Sequence, residues 1–260
     1  MGVLNVTPDS FSDAGNFLES EDAIAHALRM ESEGAEIIDI GGESTRPGAE
    51  PVEAEEELRR IIPVIEGLRA RSQVAISIDT SKAVVAEAAI DLGADIINDV
   101  TALRGDPLMP EVAAKSGAGV VLMHMQGEPR TMQEKPTYKD VAGEVAEFLR
   151  QRVSIAIGYG MTAERMAIDP GIGFGKTAEH NAALLRSLER LVQIGLPVLV
   201  GVSRKSFLRW LAQAPSTTER FWPGIALTSF CREKGARIFR VHDPKPHREA
   251  LRMTEAICQG

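Results

Sequence analysis

The sequence predicts a single (βα)8 barrel, and three observations carry the prediction. Eight short β-branched runs alternate with amphipathic segments rich in Ala, Glu, Leu and Arg. Strand, helix, strand, repeated, requires a parallel sheet with right-handed crossovers. The 260 residues match the roughly 250 that such a barrel needs as one domain. Residues 1–260 are therefore expected to form one unit, since no linker or low-complexity stretch divides them. The segments that follow the strands are the longer, more polar ones, and active sites of this architecture form at that end. A doubly wound open sheet is the alternative topology.

The elements can be justified in order. The first strand falls at 3–6 (Val-Leu-Asn-Val), followed by a polar loop at 7–15 and a helix at 20–33. Gly34 then supplies a left-handed cap before the strand at 37–40. A second polar loop, 41–48, leads to a helix at 52–70. Five glutamates lie in 50–57 and read as a solvated helix start. Strand 74–78 and helix 82–92 follow, closed by Gly93. Further strands fall at 95–100, 119–123 and 165–168, then a helix at 178–193 and a strand at 198–202. Gly235 precedes the eighth strand, 237–241. The chain starts directly on its first strand, so either helices cover the bottom of the barrel or it lacks the usual N-terminal extension.

Composition narrows the function. The 29 basic against 37 acidic residues give a net charge of −8. That argues against a general nucleic-acid or anionic-membrane binder, which needs a basic footprint. A local basic pocket for one small anion remains open. Cys231 and Cys258 lie in no Cys-x-x-Cys or His/Cys cluster, so a reduced, cytoplasmic setting is expected. Met1–Asp13 lacks the basic and apolar regions of a signal peptide, and no run is long enough to span a membrane.

Side chains alternate faces along a strand, so the polar residues at strand ends can be placed. Asp79 shares a face with Ala75 and Ser77, Asp169 with Ala167, and Asn98 with Ile96. Lys205 falls with Ser203, Gly201 and Leu199, whereas Arg204 points the other way. Arg240 and His242 point together, and Asn5 lies with Val3. Asn5, Asp79, Asn98, Asp169, Ser203, Lys205, Arg240 and His242 are thus expected to ring one cavity. Any one of them alone reads as a cap or turn residue. Eight on most of the strands, all at one end, do not, because lumen charges must be paired or bind something.

Their chemistry divides. Two aspartates and an asparagine suit a flat heterocycle with donor and acceptor edges. Ser203, Arg240 and His242, with nearby Arg46, suit an oxyanion such as pyrophosphate. Asn5 offers a neutral oxygen to Mg²⁺, which needs few protein ligands when a phosphate supplies the rest. The turn 169–176 (Asp-Pro-Gly-Ile-Gly-Phe-Gly-Lys) lacks P-loop spacing but permits close backbone approach, with Phe174 free to cover a ring. His124 reads as a satisfied core or helix-side residue, and His26, His180 and His247 as surface groups. Trp210 and Trp222 read as packing or an interface.

The set of motifs resembles the dihydropteroate synthase family of pterin-binding TIM barrels. The matching stretches are 5–13 (Asn-Val-Thr-Pro-Asp-Ser-Phe-Ser-Asp), 41–48, 78–82 (Ile-Asp-Thr-Ser-Lys), 97–99, 122–126 (Leu-Met-His-Met-Gln), 169–176, 203–206 (Ser-Arg-Lys-Ser) and 240–243 (Arg-Val-His-Asp). The resemblance implies that para-aminobenzoate displaces pyrophosphate from (7,8-dihydropterin-6-yl)methyl diphosphate, giving 7,8-dihydropteroate in folate biosynthesis. It implies pterin contacts from Asp79, Asn98, Met123, Asp169, Gly201 and Lys205. It implies pyrophosphate contacts from Asn5, Arg46, Ser203, Arg240 and His242. Phe11, Thr45, Arg46, Pro47, Phe174, Lys205 and Ser206 would shape the aminobenzoate pocket. The implied cofactor is Mg²⁺, held by Asn5 and Asp13. Asp79, Asp169, Lys205, Arg240 and His242 would carry the catalysis. A homodimer and sulfonamide sensitivity are implied as well.

Two departures stand out. Phe221-Trp222-Pro223-Gly224 replaces a more usual Gly-Ser opening of the last helix, and Pro244 alters the connection after the eighth strand. Three other readings compete. A corrinoid-dependent methyltransferase barrel would share the pterin pocket but needs no pyrophosphate site. A non-catalytic pterin-binding homologue need not keep Asn5, Lys205, Arg240 and His242. A Schiff-base aldolase using Lys205 gives the aspartate pair no clear role.

Overall fold

The computed structural model describes residues 1–7, 16–44, 49–128 and 130–258, without the side chains of 16–19. Eight parallel strands form the sheet: β1 (Gly2–Asn5), β2 (Ile37–Gly41), β3 (Ala75–Asp79), β4 (Ile96–Asp99), β5 (Gly119–Met123), β6 (Met166–Asp169), β7 (Leu199–Val200) and β8 (Ile238–Phe239). Strands β1 to β6 are joined in sequence order, and β7 pairs with β8. Parallel bridges Ile168↔Val198 and Gly2↔Val241 join the two sets. Val3 N–H donates to Val241 O at 2.9 Å, and Val241 N–H to Met1 O at 2.9 Å. The sheet is thereby closed, which settles the barrel against the open-sheet alternative.

The helices are α1 (Asn16–Ser32), α2 (Ala54–Arg69), α3 (Ala83–Asp91), α4 (Met109–Ser116), α5 (Val141–Gly158), α6 (Ala178–Arg186), α7 (Glu189–Val192), α8 (Leu208–Leu211), α9 (Phe221–Glu233) and α10 (Pro244–Cys258). The segment 178–193 is thus two helices, α6 and α7, with Ser187 and Leu188 between them. Phe221 opens α9, and one more helix follows it. Pro244 is the first residue of α10, a position where its missing N–H costs no hydrogen bond. Gly34, Gly93 and Gly235 have φ of +99°, +96° and +98°, as helix-ending glycines require.

Strand alternation sorts the core into two layers. Ile38, Ile40, Ile76, Ile78 and Ile97 face the helices and are fully buried among Ile61, Val64, Ile65 and Val85. The alternate residues Ile96, Val121, Ala167, Leu199 and Ile238 form a separate apolar cluster with Met1. That cluster fills the lumen below its polar end, where Asp39, Ser77, Asp79, Asn98 and Asp169 are buried.

Two expectations need correction. Glu57 is not a solvated helix-start residue. It is 0% exposed and bonded to Lys82 Nζ at 2.5 Å, because α2 turns this position toward the β2 and β3 loops. His247 is no surface group: it is buried, with Nδ1 2.8 Å from Thr228 Oγ1, tying α10 to α9. Trp210 and Trp222, read as packing or an interface, are both 72% exposed, which leaves the interface reading open.

Candidate active site

The polar groups of the lumen meet at the C-terminal ends of the strands. One cavity there is lined by Asp79, Asn98, Val100, Met123, Asp169, Ile172, Phe174, Gly201, Lys205 and Arg240. About 350 Å³ of space lies at this mouth of the lumen, part of it open solvent. All six residues singled out for a heterocycle line it, as do Phe174 and Arg240.

Arg240 stands at the centre of the network. Its Nε donates to Asp39 Oδ2 at 2.5 Å and its Nη2 to Asp79 Oδ2 at 2.7 Å. Asn98 Nδ2 also donates to Asp39, at 3.2 and 3.3 Å. Asp39 is 0% exposed, yet the sequence reading passed it over. The signal was available: Ile38 and Ile40 face the helices, so Asp39 between them must face the lumen. Asp79 Oδ1 is buried without a hydrogen-bond partner. That atom is an unsatisfied acceptor, and an unpaired buried oxygen costs free energy until a donor reaches it.

Electrostatics follow from burial and neighbours. Burial pushes the Asp79 carboxyl above its usual range, Arg240 opposes this, and Asp39 adds to it. Burial likewise raises Asp169, opposed by the Gly171 N–H and by Lys205. The Gly171 N–H reaches Asp169 Oδ1 at 2.7 Å. Burial, then Arg240, pull the Lys205 ammonium down to about 8. Burial also works against the Arg240 guanidinium, but Asp39 and Asp79 more than offset it and its pKa is raised. A low-dielectric pocket with two acids, two cations and one unpaired oxygen is built to take a polar ligand that carries N–H donors.

The remaining residues distribute unevenly. Lys205 Nζ sits 4.2 Å from the Phe174 ring centroid, a cation–π contact. Strand β7 ends at Val200, and Arg204 has φ of +58°. Simple alternation therefore does not extend to Lys205, and a turn delivers it to the cavity. Arg204 points away and forks onto Asp243 at 2.7 and 2.8 Å. Ser203 and His242 do not line the cavity but pair with each other, Oγ to Nδ1 at 3.2 Å. Burial, then Arg204, hold the His242 imidazole down at about 4. Ser206 is exposed and does not line the cavity. Asn5, half-buried, closes β1 in register with Gly41. Phe11, Asp13, Thr45, Arg46 and Pro47 lie outside the described residues.

Two groups escaped the sequence reading besides Asp39. Lys82 Nζ bridges Glu57 and Glu43, and Glu43 Oε1 accepts from Val52 N–H at 3.2 Å. Lys176, which ends the glycine turn, is 3% exposed and faces backbone carbonyls. Both look like ordinary surface lysines in sequence, because Glu57 of α2 and His124 of the loop after β5 reach them only in the fold.

The geometry defines a barrel with a polar, charged pocket at the mouth of its lumen. A family model described as Pterin binding enzyme matches residues 1–242. The chain belongs to this pterin-binding family, and its full-length relatives are dihydropteroate synthases. It is 46% identical over 257 residues to the dihydropteroate synthase of Synechocystis sp., covering 99% of this chain and 89% of the relative. A Yersinia pestis dihydropteroate synthase solved with a sulfonamide drug is 45% identical, with a TM-score of 0.94, covering 100% of this chain and 94% of that one. A Xanthomonas albilineans dihydropteroate synthase solved with 4-aminobenzoic acid is 46% identical, with a TM-score of 0.93, covering 99% and 92%.

Proposed function

We propose that this protein condenses para-aminobenzoate with (7,8-dihydropterin-6-yl)methyl diphosphate, releasing pyrophosphate and forming 7,8-dihydropteroate for folate biosynthesis. The observation that carries the reading is the cavity itself. Asp79, with an unpaired buried oxygen, stands with Asn98 and Asp169 opposite Lys205 and Arg240, in a chain at about 45% identity to dihydropteroate synthases along its length.

In this reading Asp79, Asn98 and Asp169 hold the pterin edge, Met123 and Gly201 flank its faces, and Lys205 hydrogen-bonds its rim. The methylene C–O bond breaks, pyrophosphate leaves with the electron pair, and the aniline nitrogen forms the new C–N bond and loses a proton. The electron-rich dihydropterin carries positive charge as the bond breaks, so the path is dissociative. Asp79 and Asp169 stabilise that cationic ring, which is where a preorganised negative field contributes most. Arg240 releases Asp39 or Asp79 to meet the departing diphosphate, with Ser203, His242 and Arg46 beside it. Phe174 and Lys205, with Phe11, Thr45, Pro47 and Ser206, receive the aminobenzoate. No strong base is needed, because an aniline already has its lone pair.

The donor set fits Mg²⁺ in one form only. Among the described residues no three His, Cys, Asp or Glu side chains cluster to hold a metal, so a protein cage is absent from that part of the chain. Asn5 and Asp13 would hold the ion together with diphosphate oxygens, as Mg²⁺ prefers. When bound, it supplies charge neutralisation to the leaving group.

The protein is proposed to act as one domain, as a homodimer in the cytoplasm and as a sulfonamide target. Among the described residues no helix is long and apolar enough to cross a membrane. The test is direct: purified protein, Mg²⁺, the pterin diphosphate and labelled aminobenzoate should give labelled dihydropteroate, blocked by a sulfonamide. A folded sample that binds pterin yet forms no product would refute the enzyme reading.

A further inference from the structure

Lys176 follows the glycine turn after β6 and is buried at 3% exposure. Its ammonium lies 3.0 Å from Gly171 O, 2.9 Å from Phe174 O and 3.0 Å from His124 Nδ1, with His124 O at 3.4 Å. His124 belongs to the loop after β5, so one cation ties two adjacent strand-end loops together. The loops are in close contact. Gly171 has φ of +66°, and a Cβ there would meet His124 O at 1.9 Å. His124 must be neutral to accept at Nδ1. Burial, then the Lys176 charge, hold its imidazole down at about 3.

Burying an ammonium is expensive unless its protons are engaged, and burial pulls the Lys176 ammonium down to about 7. Its donors are spent on the backbone of the turn and on His124, and not on a ligand. What the turn carries is Phe174, whose ring lines the cavity and faces Lys205 Nζ at 4.2 Å. The rest of the turn is held from the outside. Gly173 N–H donates to Asn181 Oδ1 at 2.8 Å, and Tyr138 Oη donates to Gly175 O at 2.8 Å. Gln133 Nε2 donates to Gly173 O at 2.5 Å. The Phe174 carbonyl itself is held by Lys176.

We propose that Lys176 is a positioning residue for the aminobenzoate half of the site, fixing the Phe174 ring against Lys205 through the Phe174 carbonyl. The proposal rests on the assignment of Phe174 to the aminobenzoate pocket made above. It gives the lysine after the glycine turn a task different from that of a P-loop lysine, which faces phosphate.

Three variants test it in the whole protein: Lys176→Met, Phe174→Ala and the double variant. Lys176→Met should raise KM for aminobenzoate about tenfold and weaken sulfonamide binding in parallel. KM for the pterin diphosphate should stay within about twofold. Phe174→Ala should raise the aminobenzoate KM at least as much, and the double variant should add less than about twofold to it, since coupled residues are not additive. An unchanged aminobenzoate KM in Lys176→Met, or equal rises for both substrates, would overturn the proposal. So would full additivity in the double variant. If Phe174→Ala alone leaves aminobenzoate untouched, the assignment of Phe174 fails, and the route through it fails with it. Should Lys176→Met not fold, Lys176→Gln keeps two N–H donors. It should shift the same KM by a smaller factor, and no shift would equally overturn the proposal.

Discussion

Replacing Asp79 with Asn removes one charge from the lumen at almost constant shape. In the free protein Asp79 Oδ2 accepts from Arg240 at 2.7 Å, while Oδ1 has no partner. A pterin edge supplies donors to both oxygens, so binding exchanges one charged hydrogen bond and gains another. A hydrogen bond to a charged group contributes about 1.5–3 kcal/mol. Losing the gained one, with an amide N–H now facing a ligand donor, should cost about 2–3 kcal/mol, or roughly 30- to 150-fold in affinity. Stability should behave differently. Burial raises the Asp79 pKa in the fold. Its ionised form is therefore disfavoured there, and stability falls as pH rises from the ordinary carboxyl value through the raised one. The Asn variant escapes that loss, and Arg240 keeps Asp39 at 2.5 Å. Its melting temperature at pH 7.5 should be equal to or above wild type, with a flatter pH dependence. Calorimetric titration with 6-hydroxymethyl-7,8-dihydropterin and thermal melts from pH 5 to 8 read both quantities. Affinity within threefold of wild type, or a melting temperature lower by more than about 5 °C, would refute the reasoning.

Three further outcomes are expected. Asp39→Asn removes the carboxylate that aims Arg240 and Asn98; steady-state turnover should drop about 10- to 100-fold, and unchanged kcat would show that Arg240 needs no such guide. Because Lys205 is pulled down to about 8, its charge is present below that pH and lost above it. The aminobenzoate KM should therefore rise by up to about tenfold from pH 7 to pH 9, and a flat profile would remove Lys205 from carboxylate binding. Lys82→Met strands the fully buried Glu57 beside Glu43. That uncompensated charge should destabilise by about 3–5 kcal/mol, seen in denaturant melts, and a change under 1 kcal/mol would mean that Glu57 takes up a proton instead.

The fold was legible because its signals are local. The isoleucines of β2 and β3 mark one face of each strand by period two, and the glycines at 34, 93 and 235 mark where helices end. The same parity placed Asp79, Asn98 and Asp169 in the lumen, where the structure has them. It failed past Val200, where the strand stops and a left-handed Arg204 turns the chain. Lys205 reaches the cavity all the same, but by a turn and not by alternation. Glu57 and His247 were misread because a helix shows its buried face only when the neighbouring element is known.

By itself the sequence determined the eight-strand barrel, the end at which its site lies, and the family to which it belongs. Period and composition encode the barrel and its active end directly, and the strand-end motifs carry the resemblance to the family. Only the tertiary structure decided which charges meet. Arg240 finds Asp39 and Asp79 across 201 and 161 residues of chain, and Lys176 finds His124 across 52. Ion pairs and buried cages depend on distances of a few ångströms between separate loops. Closing the barrel sets those distances, and no local pattern records them.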